Sequence, residues 1–142
     1  MISNLTKRAT ALIFGLLYTS IVLAESPPML TLELNTIQTN KNDCKLTFVI
    51  ESGVETKINK VAYEFAFFDA EGSVDRISVL NFKDFQAKKT KVKRFTIPKI
   101  SCENISRILI NENTACLQGE TKLPYCMDRL HLKNRTKIEF LK

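Results

Sequence analysis

The sequence predicts an all-β fold, an antiparallel sandwich of about seven strands held by disulfides. Three observations predict it. Apolar and polar residues alternate with a period of two along most of the chain, the period of a strand with one buried face. Turn-forming residues break that alternation into short runs. Four cysteines, an even number, lie beyond a leading segment that reads as an export signal.

The runs come in order. Glu25 to Met29, with Pro27-Pro28, reads as an extended lead-in. Leu30, Leu32 and Leu34 then alternate with Thr31, Glu33 and Asn35. Cys44, Leu46, Phe48 and Ile50 alternate with Lys45, Thr47, Val49 and Glu51. Val61, Tyr63, Phe65 and Phe67 alternate with Ala62, Glu64, Ala66 and Phe68, and Asp69-Ala70-Glu71-Gly72 supplies a turn. A fourth run covers Val74 to Phe82, a fifth Val92 to Ile97 with a stop at Pro98, a sixth Ile105 to Ile110, and a seventh Lys137 to Leu141. Short strands at this spacing suggest an immunoglobulin-like sandwich, and the same pattern also fits a small β-barrel. Helix is minor. Pro124 to Leu130 is expected to make one or two turns, with Pro124 near the first position, and Phe82 to Lys89 a further turn or a loop.

The first 24 residues carry a positive start at Lys7 and Arg8, an apolar core from Ala9 to Leu23, and Val22-Leu23-Ala24 before Glu25. This is the order of a secretory signal peptide. The core holds only 15 residues and includes Thr10, Gly15, Thr19 and Ser20, short of the roughly 20 apolar residues of a membrane span. The chain therefore divides into a signal peptide, 1–24, and one β domain, 25–142, with no membrane span after cleavage and a periplasmic or secreted location. No cysteine comes directly after the cut, the first being Cys44, so a lipid anchor is not expected.

Cys44, Cys102, Cys116 and Cys126 are expected to form two disulfides, as exported chains commonly do. Three pairings are possible. Cys116–Cys126 is preferred because it closes a short loop through Gly119 and Pro124, together with Cys44–Cys102, which would tie an early strand to a late one. No C-x-x-C is present, and the spacing lacks the paired short intervals of a zinc site. The signal segment takes two of the 21 basic residues and none of the 15 acidic ones, leaving the domain mildly basic.

From Ile58 to Pro98, Tyr63-Glu64-Phe65-Ala66-Phe67-Phe68-Asp69, Glu71-Gly72 and Lys91-Val92-Lys93-Arg94-Phe95 follow the strand, D-x-x-G turn, strand pattern of bacterial extracytoplasmic immunoglobulin-like domains. With the cysteine order and the closing Ile138-Glu139-Phe140-Leu141, the chain resembles a group of short exported alphaproteobacterial proteins, some with twin-arginine signals. It departs from that signal at Lys7. The resemblance implies an immunoglobulin-like sandwich and brings no catalytic residues.

Chemistry is sparse. His131 is the sole histidine, and no G-x-S-x-G elbow accompanies it. Asp69, Glu71 and Asp75 surround the Gly72 turn without the denser oxygen pattern of a calcium loop. No glycine-rich phosphate loop occurs. The expectation is therefore a protein with no enzymatic activity, cofactor or metal. Lys88, Lys89, Lys91, Lys93 and Arg94 place five positive charges in seven residues. They suit either contact with an anionic envelope component or protection of a sheet edge. Nucleic acid is not expected, because aromatic residues do not interleave with the basic ones. The function read from these features is an exported, non-catalytic interaction or structural module of the bacterial envelope that binds an envelope protein or an anionic component. The alternative is an inhibitor of a secreted hydrolase, with Leu117 to Tyr125 presented by the Cys116–Cys126 loop.

Overall fold

Alternating burial turns these runs into two facing sheets. A computed structural model describes residues 30–142; the predicted signal peptide and the Pro27-Pro28 lead-in lie outside the described residues. The strands are β1 (Leu30–Asn40), β2 (Asp43–Ser52), β3 (Ile58–Phe68), β4 (Val74–Phe85), β5 (Thr90–Ile97), β6 (Arg107–Gln118), β7 (Thr121–Lys122), β8 (Leu130–Asn134) and β9 (Glu139–Leu141). The first sheet has the order β5-β2-β1-β8, and the second β4-β3-β6-β7, with β9 also on β6. Neither sheet closes on itself, so the architecture is a sandwich and not a barrel.

Phe48 sits at the centre. Its ring centroid lies 5.6 Å from those of Phe65 and Phe82, 6.0 Å from Phe140 and 6.1 Å from Phe95. Phe48 and Phe95 come from the first sheet and the others from the second. Tilted and edge-on rings at such separations add about 1 kcal/mol per pair to their burial. Leu30, Leu32, Leu34, Leu46 and Ile50 complete one wall; Val61, Tyr63, Phe67, Ile108 and Ile110 complete the other.

Both disulfides tie strands to connections. Cys44 on β2 bonds Cys102, which sits in a short 3-10 turn (Cys102–Asn104) rather than on a late strand. Cys116 on β6 bonds Cys126 in the turn that leads to β8. The Gly72 turn forms as expected. Gly72 has φ +83°, a conformation that suits glycine, and the Asp69 side chain accepts from the Ser73 amide at 2.8 Å.

Several local expectations change. β8 joins β1, and β9 joins β6, in parallel, where the alternation predicts antiparallel neighbours. Pro124 to Leu130 forms turns with one i to i+4 bond, Arg129 N–H to Tyr125 C=O at 3.1 Å, and no helix. Cys126 is fixed there by its disulfide, which limits the segment to a turn. Phe82 to Phe85 continues β4, because Phe82 and Phe85 both reach the core. The sixth strand starts at Arg107 and runs to Gln118.

Candidate functional site

Four regions of the described residues present polar or apolar chemistry to solvent. One end of the sandwich holds a cleft of about 700 Å³. Asp69 and Glu71 from the β3–β4 turn and Asp75 at the start of β4 line it, with Lys99 and Glu103 from the β5–β6 connection. Its carboxylates are partly engaged already. Asp69 holds the Ser73 amide, and Glu103 accepts from the Ser101 hydroxyl at 2.9 Å. Among the described residues no three His, Cys, Asp or Glu side chains are grouped to hold a metal ion.

The basic run leads into β5, an edge of the first sheet, with Lys88 and Lys89 before the strand and Lys91, Lys93 and Arg94 on it. Two of its members are tethered. Lys88 pairs with Glu55 at 2.8 Å and donates to the Gly53 carbonyl at 2.9 Å. Lys91 reaches the Asp84 carboxylate at 3.2 Å and its backbone carbonyl at 2.9 Å. A hydrogen bond from Gln86, with Lys91 beside it, holds the Asp84 carboxyl down at about 2. Lys93 shares the inward side of β5 with Phe95 and Ile97 and is half-buried. Its ammonium is held below the usual lysine range by that burial, then by Lys91 and Lys83. Lys89 and Arg94 stay exposed.

The Cys116–Cys126 loop does not project as a ligand-presenting arm. Leu123 and Tyr125 pack against the core, and the Leu123 amide bonds the Cys116 carbonyl at 2.8 Å. Gly119 to Lys122 and Pro124 stand clear. His131 is exposed on β8, opposite Thr31.

The fourth region is the outer face of the second sheet. Inward residues of β3 and β6 alternate with Ala62, Glu64, Ala66 and Phe68 and with Arg107 and Leu109. Registers align them across the strands. Ile77, Ala66, Leu109 and Leu141 form one row, and Val74, Phe68, Arg107 and Glu139 the next. The Arg107 guanidinium lies over the Phe68 ring at 4.1 Å. On β4, Val74, Ile77 and Val79 are 51, 56 and 55% exposed. β4 is the edge of its sheet, and among the described residues no strand pairs with its other side. Half-exposed β-branched residues clustered on one edge differ from apolar residues scattered singly over a surface, which need no explanation. The sequence places Val74 to Phe82 among the half-buried strands, which does not mark Val74, Ile77 and Val79 as an uncovered apolar face.

No family model matches the chain, and no curated protein matches its sequence. Among solved structures, IrmA from Escherichia coli has a similar fold, with a TM-score of 0.57 at 11% identity, covering 74% of this chain and 91% of that one. At that identity the likeness concerns the fold alone. No helix among the described residues is long and apolar enough to cross a membrane.

Proposed function

We propose that the protein is an exported, non-catalytic interaction module of the bacterial envelope, and that it holds another protein against β4 and the adjoining outer face of the second sheet. The observation that carries this reading is the clustering of Val74, Ile77 and Val79, each more than half exposed, on one unpaired edge strand. Burying the exposed part of each would contribute about 1 kcal/mol, and a strand added to the edge would supply main-chain hydrogen bonds as well. The two disulfides support an oxidising compartment, periplasmic or secreted. The basic strand fits edge protection better than recognition, because Lys88 and Lys91 already serve carboxylates of this chain.

The test is capture and crosslinking by the tagged, exported protein from its own envelope fraction. Ile77→Lys with Val79→Lys removes the captured species, while Arg94→Glu on the opposite sheet leaves it. Capture that is unchanged by the β4 pair and lost with Arg94→Glu would overturn the assignment of the surface.

A further inference from the structure

We propose that the protein held at this edge is a second copy of the chain, whose β4 adds antiparallel to β4 across a two-fold axis. The proposal rests on the reading of β4 as a binding edge and names its occupant. The two long edge strands differ. β5 carries Lys91, Lys93 and Arg94 within its eight residues, a common guard against strand addition. β4 has no charged residue from Ile77 to Phe82. It is also regular there. Register shifts leave Asp75 unpaired on one side and Phe82 on the other, with Lys83 at φ +63°, so bulges bracket the stretch Arg76 to Asn81. That is the length of an ordinary strand.

Charge then selects the partner and its direction. Asp75 marks the start of the stretch and Lys83 its end. Neither side chain forms an ion pair or hydrogen bond among the described residues. Antiparallel pairing brings Asp75 of each copy toward Lys83 of the other, twice per dimer. Parallel pairing would set like charges together. With Ser78 near the axis, Ile77 of one copy faces Val79 of the other on the outer side, and Asp75 faces Asn81, with Lys83 as its diagonal neighbour. The interface is thus self-complementary, as a two-fold contact requires.

Sedimentation equilibrium of the exported protein over a wide concentration range tests this. A reversible monomer–dimer equilibrium is expected. Asp75→Lys weakens it about tenfold at low salt by setting a like charge diagonal to Lys83, and adding Lys83→Asp restores it. Both positions are exposed, so the fold is kept. Ile77→Lys with Val79→Lys gives a monomer. In the wild type the amides of Arg76 to Asn81 gain exchange protection as concentration rises. A monomer at every concentration, or a dimer unmoved by the charge changes and by the β4 lysines, would overturn the proposal. A strictly monomeric protein whose β4 lysine variant still loses envelope capture would remove the second copy and leave the interaction-module reading in place.

Discussion

The Tyr63 hydroxyl donates a 3.0 Å hydrogen bond to the carbonyl oxygen of Cys126. The bond joins the central strand of the second sheet to the disulfide-closed turn that feeds the first. Tyr63 is 2% exposed, and burial pushes its phenol well above the usual tyrosine range. Because the folded value is raised, the contribution to stability is complete below the unfolded value of about 10 and drains away as pH rises beyond it. Urea unfolding at pH 8 and at higher alkaline pH should show this loss, and Tyr63→Phe should remove its alkaline part. The same substitution leaves the Cys126 carbonyl without its donor and should cost about 1–2 kcal/mol at neutral pH.

The two disulfides should differ in weight. Cys44 and Cys102 are 58 residues apart, and Cys116 and Cys126 are 10 apart. By loop-closure entropy, replacing the first pair with alanine should cost about 4 kcal/mol and the second about 3 kcal/mol. Thermal unfolding of the two double variants checks the order, and a larger loss from the shorter loop would contradict it.

Asp84 gives an acid-side test. Its carboxyl is held down at about 2 by Gln86 and then Lys91. A depressed folded value contributes stability above the unfolded range near 4 and loses it as pH falls through about 2. A carbon-detected titration should place the Asp84 midpoint near 2, and Gln86→Ala should raise it toward the ordinary carboxylate value.

The basic strand should behave as an edge guard. Lys91→Thr with Lys93→Thr should raise self-association in light scattering, while Lys91→Glu with Lys93→Glu should leave it low, because either charge blocks strand addition. Equal behaviour of the two pairs would argue against protection.

The alternation made the framework legible. Leu30, Leu32 and Leu34, or Cys44, Leu46, Phe48 and Ile50, announce a strand with one buried face, and each takes that role. The Gly72 turn was equally plain, since positive φ needs such a residue. Topology was not. Leu130 and Leu132 are too few to mark β8 as a strand, and nothing local says that it would lie parallel to β1. The β4 surface was hidden for a related reason. Alternation says that one face is buried, but not that the other carries apolar residues left uncovered. Only the assembled sandwich shows that the outer face beside β4 has no further layer of described residues over it, which leaves Ile77 and Val79 in solvent.

The central claim is that this edge and face hold a protein in the native compartment. A photo-crosslinking residue at position 77 or 79, in the protein produced in its own cell, tests that most directly, with position 92 on β5 as the comparison because Val92 is equally exposed at 55%. The account predicts a defined crosslinked protein species from 77 and 79 and none from 92. Free monomer at 77 and 79, with a crosslink at 92 instead, would contradict it.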